Sequence, residues 1–393
     1  MDLDQLAALR TPEGSAALAA ATEVAGGDPL AAAAALRSAG VPGGLAAAAL
    51  TQAELRRRAA TKFGPAAAGM FLTRAGLEQA TRGVVSARRA RRLRAAGVRT
   101  LADLGCGLGA DALAAARAGI RVYGVEADPL TAAMAAANAE AAGLADLFTV
   151  ECGDATEFDV SRVDAVFCDP ARRRAGTGRR IFDPNAYSPP WDFVVRLAER
   201  VPYTVVKVAP GLDHALIPAG AEAEWVSVDG DLVEAALWCG RLAEVPRRAT
   251  LLHGDAAHVL TGSGAAEAPV GPVRRYVHDP DPAVVRAHLV AELADALGAT
   301  LADPSIAYLY ADAPAATPFA RCLEVTDVLP FSLKRLRALL RERRVGRVEI
   351  LKRGSALEPE RLRRDLRLAG PEAASLVLTR VADAPTVLVC RPV

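Results

Sequence analysis

Between residues 96 and 245, short apolar runs alternate with longer segments whose apolar residues recur at helical spacing. The runs indicate buried strands, and the segments between them indicate amphipathic helices. Strands are predicted at 98–103, 121–126, 147–152, 163–168 and 204–209, and helices at 110–118, 129–141 and 193–200. This alternation is typical of an α/β domain with a parallel sheet covered on both faces.

The end of this region has a different pattern. Apolar runs at 224–228 and 232–239 flank Asp229-Gly230, a dipeptide that favours a two-residue hairpin turn. A parallel sheet that finishes in an antiparallel hairpin is not the strand inventory of a symmetric dinucleotide-binding sheet.

The first 95 residues predict helices only, with breaks at 26–29 and 42–44. These alanine-rich helices are too short to be stable alone, so we expect them to pack on another part of the chain. The last of them, at 82–94, carries five arginines after its first residue, Arg82, a pattern that favours a solvated helix face leading into the first strand: Arg88, Arg89, Arg91, Arg92 and Arg94.

After residue 245 the pattern predicts a small hairpin and one amphipathic helix at 282–297. From residue 318 it predicts a small α+β domain, with strands at 321–328, 348–352, 375–381 and 386–390 and helices at 332–344 and 359–368. The chain therefore divides into a helical region, an α/β domain, a connecting hairpin with a ferredoxin-like segment, and a basic α+β domain, at 1–95, 96–245, 246–317 and 318–393.

A glycine loop joins the first strand of the α/β domain to its first helix. It reads Asp103-Leu-Gly105-Cys-Gly107-Leu-Gly109, and glycines are needed where the backbone turns tightly and touches a ligand. Gly105, Gly107 and Ala110 also satisfy a dinucleotide-binding pattern, so the loop alone is ambiguous.

Carboxylates at three successive strand ends resolve this ambiguity. Asp103 would suit the ammonium group of a cationic ligand, and Glu126 could accept both ribose hydroxyls. Asp154-Ala155 follows the third strand, where an adenine amino group would lie. The set favours S-adenosylmethionine, although Asp103 or Asp154 alone could merely cap a helix or turn.

The fourth strand ends in Asp169-Pro170, at the edge where reacting groups gather in open α/β sheets. A side-chain acceptor followed by a proline carbonyl can hold both hydrogens of an exocyclic amine, so this pair is the candidate catalytic group. Arg172 and Arg173 beside it would suit phosphate contacts. An Asp-Pro turn with solvated arginines is the alternative.

These motifs, together with Lys207-Val-Ala-Pro-Gly-Leu-Asp213, resemble a bacterial group of class I methyltransferases with a C-terminal THUMP-like domain. The resemblance implies a Rossmann-like sheet that binds S-adenosylmethionine at Asp103, Gly105, Gly107, Gly109, Glu126 and Asp154. It also implies RNA as the substrate class. Base N-methyltransferases usually follow the acidic or amide residue with Pro-Pro and an aromatic residue, whereas Ala171 and Arg172 stand here.

The charge of the C-terminal domain agrees with an RNA partner. Residues 318–393 carry sixteen basic and nine acidic side chains, while the whole chain has a net charge of +1, so phosphate attraction is concentrated in this domain. Lys334 and Arg335 on a helix, and Lys352 and Arg353 at a strand end, are the candidate phosphate contacts. A soluble, arginine-biased surface is the alternative.

The composition bears on three further classes of protein: those with disulfides, with metal sites and with membrane spans. The six cysteines are widely separated and no histidine pattern accompanies them, so neither a disulfide framework nor a metal site is expected. No signal peptide or membrane-spanning run is visible, so we expect a cytoplasmic enzyme without a membrane partner. Two other functions stay open: methylation of a small molecule or protein, and non-catalytic RNA binding.

Overall fold

The computed structural model describes residues 1–170 and 188–393, and these residues form two compact units. Unit 1 comprises Met1–Val208, Pro218–Ala221 and Ala236–Glu244, and unit 2 comprises Ala209–Ile217, Glu222–Ala235 and Val245–Val393. Both units contain helices and sheet strands, which confirms the α/β class. The division into four parts stays a prediction.

The first part of unit 1 is helical, as predicted. The side chains of Asp2, Thr11 and Asp28 accept hydrogen bonds from backbone N–H groups at the starts of the first three helices. The helices are α1 (Leu3–Leu9), α2 (Pro12–Val24), α3 (Pro29–Ser38), α4 (Gly43–Phe63), α5 (Arg74–Gln79) and α6 (Gly83–Ala95), with a 3-10 helix at Gly64–Gly69.

The second part of unit 1 alternates strands and helices. Its elements are β1 (Thr100–Leu104), α7 (Ala110–Arg117), β2 (Arg121–Glu126), α8 (Pro129–Ala141), β3 (Phe148–Cys152), β4 (Ala165–Cys168), α9 (Trp191–Arg200) and β5 (Tyr203–Val208). The strands lie in the order β3-β2-β1-β4-β5 and every neighbouring pair is parallel. The carboxyl ends of all five strands therefore meet at one edge of the sheet.

A single hydrophobic core joins this sheet to the N-terminal helices. Leu101 on β1 and Phe167 on β4 belong to the same buried cluster as Leu9, Leu36 and Leu72. The alanine-rich helices therefore acquire stability by burying their apolar faces against the sheet domain, as their short length requires.

Unit 2 contains the turn of the hairpin predicted at Asp229-Gly230. β6 (Glu222–Val228) and β7 (Asp231–Gly240) are neighbouring strands, and Asp229 and Gly230 have φ values of 51° and 84°, as a type I′ turn requires. The last part of β7, from Ala236, belongs to unit 1 and lies beside β5. β8 (Arg247–His253) pairs in parallel with β6, and β9 (Ala256–Gly262) pairs with β8 in antiparallel orientation.

The remainder of unit 2 is a second sheet with helices. Its elements are β10 (Tyr276–Pro280), α10 (Pro282–Arg286), α11 (Val290–Leu297), β11 (Thr300–Leu301), β12 (Leu309–Ala311), β13 (Ala320–Pro330), α12 (Leu333–Glu342), β14 (Val345–Lys352), α13 (Pro359–Leu366), β15 (Glu372–Val381) and β16 (Ala384–Pro392). The order is β11-β12-β10-β13-β16-β15-β14. Helices α12 and α13 cover one face through Leu336, Leu340, Leu362 and Leu366.

The single helix predicted at 282–297 is wrong. The chain forms α10 and α11 with a break between them, where His288 adopts a φ of 58°. The ring of His288 stacks on the ring of His214 with a centroid distance of 3.9 Å. This tertiary contact within unit 2 outweighs the local helical preference, and the sequence carries no glycine or proline that marks the break.

Two further observations bear on the expectations from composition. The six cysteines are free thiols, and Cys106, Cys168, Cys239 and Cys390 are buried. None of the helices in the described ranges is both long enough and apolar enough to cross a membrane.

Candidate active site

The glycine loop lies between the end of β1 and the start of α7. Gly107 and Gly109 have φ values of 55° and 83°, a conformation that favours glycine. A Cβ on Gly109 would lie 2.7 Å from Cε1 of Phe148, whereas a Cβ on Gly107 would meet no described atom within 4 Å. Packing therefore requires Gly109, and the backbone at Gly107 is open to a ligand.

Backbone hydrogen bonds hold this loop against the end of β2. The N–H of Gly105 donates to the carbonyl of Val125 at 2.9 Å. The carboxylate of Glu126 accepts from the N–H of Gly107 at 3.0 Å through Oε2 and from the N–H of Asp128 at 3.0 Å through Oε1. Since a carboxylate has about four acceptor positions, Glu126 retains capacity for two hydroxyl groups.

Asp103, at the end of β1, is a buried acid with an exposed fraction of 1%. Neither of its carboxylate oxygens has a hydrogen-bond partner within residues 1–170 and 188–393. Burial, and then the nearby carboxylates of Asp111 and Asp169, raise the pKa of Asp103 well above its usual range, while Arg89 and Lys207 oppose this shift.

This environment fits an amino group of a bound cation. Two buried acceptor oxygens without donors are costly unless a ligand supplies hydrogen bonds. An ammonium group offers three N–H donors and a positive charge, which would satisfy both oxygens and stabilise the ionised acid. The residues present therefore fit the ammonium group of S-adenosylmethionine.

Asp154 and Ala155 lie just beyond β3, where an exposed Asp154 begins a 3-10 helix, Ala155–Glu157. The Oδ1 atom of Asp154 accepts from the backbone N–H and from the hydroxyl of Thr156, both at 2.8 Å. These bonds lower the pKa of Asp154. The capping role that the sequence left open is thus present, and the role of Asp154 at the adenine stays a prediction.

Asp169 and Pro170 follow β4 and lie beside the glycine loop. A Cβ on Gly105 would lie 3.5 Å from the carbonyl oxygen of Asp169, and Pro170 is buried. The Nζ of Lys207 on β5 donates to Oδ2 of Asp169 at 2.6 Å and to the carbonyl of Gln79 at 3.3 Å. Lys207 is 8% exposed, so the lysine end of this ion pair is largely shielded from water.

The interpretation of the basic helix as a solvated face is wrong for two of its arginines. Arg89 on α6 is 4% exposed, forms an ion pair with Asp111 on α7, and lies over the ring of Phe167 at 4.6 Å. Arg92 lies over the ring of Trp238 at 4.0 Å. Tertiary pairing with a carboxylate and aromatic rings offsets the cost of burying these cations.

Two side-chain amides connect the N-terminal helices to the glycine loop. Gln52 on α4 exchanges hydrogen bonds with the backbone of Leu72, at 2.8 and 2.7 Å. Asn138 on α8 does the same with Phe71, at 2.6 and 3.1 Å, and also donates to the carbonyl of Leu108 in the glycine loop at 3.0 Å. The segment before α5 is thereby fixed to the loop.

The remaining candidate residues differ in their surroundings. Arg172 and Arg173 lie outside the described residues. Lys334 and Arg335 are exposed on α12. Lys352 lies 3.4 Å from Glu358. Arg353 forms an ion pair with Asp279 at 2.8 Å and lies over the ring of Tyr308, so its guanidinium has a structural partner within unit 2.

Comparison with known proteins identifies the family. A protein of Mycobacterium tuberculosis, found in two strains and named an uncharacterized S-adenosylmethionine-dependent methyltransferase, is 37% identical over 353 residues, which cover 86% of this chain and 95% of that protein. The chain belongs to the S-adenosylmethionine-dependent methyltransferases. The predicted enzyme class and cofactor are therefore confirmed.

Three family models and a solved structure match parts or all of this chain. The methyltransferase matches a methyltransferase domain at residues 101–173, a THUMP domain-like family at 320–392, and a domain of unknown function at 2–59. A candidate methyltransferase from Porphyromonas gingivalis superposes with a TM-score of 0.75 at 22% identity, covering 99% of this chain and 98% of that chain. The predicted methyltransferase sheet with a helical N-terminal region and a THUMP-like C-terminal region is thus confirmed.

Reasoning from sequence did not include Lys207 or Arg89 among the site residues. A signal was present for Lys207, since a lysine in an otherwise apolar parallel strand must find a partner when it is buried. No comparable signal distinguishes Arg89 from the other arginines of its helix, because the choice depends on which helix face meets the sheet.

Proposed function

We propose that this methyltransferase transfers the methyl group of S-adenosylmethionine to a nucleotide in structured RNA, such as tRNA or rRNA. The observation that carries the proposal is the match of residues 320–392 to a THUMP domain-like family, because THUMP domains occur in RNA-modifying enzymes. The basic helix α12 within this region supports the proposal, since clustered cations attract phosphates.

We assign the cofactor to residues at the carboxyl ends of β1, β2 and β3. Asp103 would accept hydrogen bonds from the ammonium group, Glu126 from the ribose hydroxyls, and the turn at Asp154-Ala155 from the adenine amino group. Gly105, Gly107 and Gly109 let the backbone approach the ligand. The cofactor supplies an electrophilic methyl group on a sulfonium, so the residues of the protein bind and orient. As the amine nitrogen gains the methyl group and the carbon–sulfur bond breaks, the nitrogen gives up one of its protons, to water or to the Asp169 carboxylate that accepts from it.

We assign the acceptor to Asp169 and Pro170. The carboxylate of Asp169 and the carbonyl of Pro170 would accept the two N–H groups of an exocyclic amine, which leaves the nitrogen lone pair free. Holding the reacting groups in this orientation is the main contribution that such a site can make. Asp169→Ala should therefore lower turnover sharply, by about 100-fold, and leave affinity for S-adenosylmethionine nearly unchanged.

Label transfer tests the substrate class. Purified protein is incubated with methyl-labelled cofactor and with a lysate of a deletion strain, in which the gene for this protein has been removed from its own organism. We expect the label in a fraction that RNase removes and protease leaves intact. The same assay with Asp169→Ala is the control. Label confined to protein or to small molecules would contradict RNA as the substrate.

Helix α12 provides a second test, the salt dependence of RNA binding. In the described part of the chain, no carboxylate pairs with Lys334 or Arg335. Replacing both with Gln should lower the slope of log affinity against log salt by about 1.4 to 1.8, since each phosphate contact contributes about 0.7 to 0.9. The matched control replaces Arg361 and Arg363, which pair with carboxylates on their own helix, and should change the slope less.

A second candidate is methylation of a protein or small molecule. It is favoured by the number of arginines in unit 2 that have carboxylate partners, since a paired cation attracts phosphate less. These pairs include Arg321 with Glu349, Arg343 with Asp327, Arg353 with Asp279, Arg380 with Asp303, and Arg391 with Glu324. The lysate experiment separates this candidate from RNA by the fraction that takes the label.

A further inference from the structure

We propose that Lys207 is a positioning residue that fixes the carboxylate of Asp169 as a pure acceptor and so selects an exocyclic amine as the methylated group. The inference rests on the proposed role of Asp169 as the group that holds the acceptor. The contact with Lys207 would explain why residue 169 must be an acid, and it would determine which kind of atom is methylated.

The geometry of Lys207 supports this role. Its Nζ donates to Oδ2 of Asp169 at 2.6 Å and to the backbone carbonyl of Gln79 at 3.3 Å. The side chain of Lys207 is 9% exposed and that of Asp169 is 30% exposed. The buried lysine thus has two acceptors within the protein, while the carboxylate that it contacts remains partly accessible.

The chemistry of the lysine determines what residue 169 can present. An ammonium group has three donors and no acceptor, so only an oxygen can face it. With Oδ2 of Asp169 facing Lys207, the other oxygen is also an acceptor, and no other group among the residues described donates to it. A substrate at this position must therefore bring a hydrogen-bond donor. With the carbonyl of Pro170 as the second acceptor, the two N–H groups of an exocyclic amine match the site, whereas a hydroxyl has only one hydrogen to donate.

An amide at position 169 would reverse this polarity. The amide oxygen would face Lys207, and the NH₂ group would face the substrate, where it would oppose the N–H groups of an amine. In the wild-type protein, the acceptor oxygen of Asp169 disfavours a ring nitrogen that carries only a lone pair, because two acceptors would meet. We therefore expect methylation of an exocyclic amine.

We expect a specific rescue among four proteins: the wild type, Asp169→Asn, Lys207→Met and the double variant. Asp169→Asn should lower kcat by about 100-fold, because its NH₂ group faces the substrate. In the double variant the amide is free to rotate and present its oxygen, so kcat should recover by at least about 10-fold relative to Asp169→Asn. A lysine that only stabilises the fold would give no recovery.

Lys62 provides a matched control. Its Nζ also donates to carbonyls of the α5 segment, those of Leu77 at 2.7 Å and Glu78 at 3.2 Å. The double variant Asp169→Asn with Lys62→Met should be as inactive as Asp169→Asn alone. Lys207→Gln, which can both donate and accept, replaces Lys207→Met if that variant unfolds, as judged by thermal unfolding.

Activity is measured as label transfer in the lysate of the deletion strain, and cofactor affinity by calorimetry. The rescue pattern can be read in whichever fraction takes the label, so a non-RNA substrate would contradict the proposed function and not this inference. Digestion of the labelled product identifies the methylated atom. An absence of rescue in folded, cofactor-binding variants, or a label on a ring nitrogen, would overturn the role of Lys207.

Discussion

Replacing Asp103 with Asn should have opposite effects on cofactor binding and on the stability of the free protein. The acid is 1% exposed and its two oxygens have no donor within the described ranges. In the free protein it is therefore unfavourable as an anion, and in the complex it would be the counter-ion of the ammonium group. A neutral amide of the same shape removes both the penalty and the attraction.

The sizes of the two effects follow from the surroundings of Asp103. Charge-assisted hydrogen bonds contribute about 1.5 to 3 kcal/mol, so Asp103→Asn should weaken S-adenosylmethionine binding by about 10- to 150-fold. Burial and the Asp111 and Asp169 carboxylates raise the pKa of Asp103 above the ordinary value of 3.8. Its contribution to stability is therefore fully present below that value and is lost as pH rises through the folded-state pKa.

Calorimetry and chemical denaturation measure both effects. Below the raised pKa, wild-type Asp103 is protonated when free, so cofactor binding should release up to one proton. This proton is detected by repeating the titration in buffers of different ionisation enthalpy over a range of pH above the ordinary pKa of an aspartate. Asp103→Asn should release none at this site. Free Asp103→Asn should be more stable than wild type at the upper end of this range.

Asp164 provides a control, because its pKa is shifted in the opposite direction to that of Asp103. Its Oδ2 accepts from the N–H groups of Arg99 and Thr100, both at 2.9 Å, and these bonds lower its pKa. Asp164→Asn should lose stability above the ordinary pKa of an aspartate and bind the cofactor normally. If Asp103→Asn binds S-adenosylmethionine as tightly as wild type does, the assignment of Asp103 is refuted.

Three other substitutions test the packing around the site. Arg89→Met leaves the Asp111 carboxylate without its buried partner and should cost about 3 to 5 kcal/mol of unfolding free energy in urea denaturation. Gly109→Ala forces a left-handed alanine against Phe148 and should cost about 2 to 4 kcal/mol, seen as a lower Tm. Gly107→Ala meets open space, so it should cost only about 1 to 2 kcal/mol while weakening cofactor binding in calorimetry; an unchanged Kd would contradict the open approach at Gly107.

Local signals explain why some elements could be predicted with their observed bounds. The predicted strand 121–126 and helix 129–141 coincide with β2 and α8. The side chain of Asp128 accepts from the N–H of Thr131 at 2.8 Å, Pro129 occupies the first helical turn, and Gly143 follows the last turn with a φ of 67°. Each of these signals acts through neighbouring residues, so the local sequence is enough to predict where the helix begins and ends.

The parts of the site that sequence could not predict depend on residues far apart in the chain. Asp103 could be predicted because its position relative to a strand end is local. The partner of Asp169 is Lys207, which is 38 residues away, and the partner of Arg89 is Asp111, on a different helix. Parallel pairing of β4 with β5 brings Asp169 and Lys207 together, and a strand pattern alone does not give the order of strands in a sheet.

The N-terminal helices contribute to the site through backbone atoms, which gives the region before the sheet a function beyond adding to the core. The carbonyl of Gln79, the last residue of α5, accepts from Lys207, and a Cβ on Gly76 of the same helix would lie 2.6 Å from Leu108 in the glycine loop. The position of α5 therefore bears on both the cofactor loop and the acid at residue 169. Because backbone carbonyls carry no side-chain identity, no residue type in this region could have indicated the connection, and only the fold reveals it.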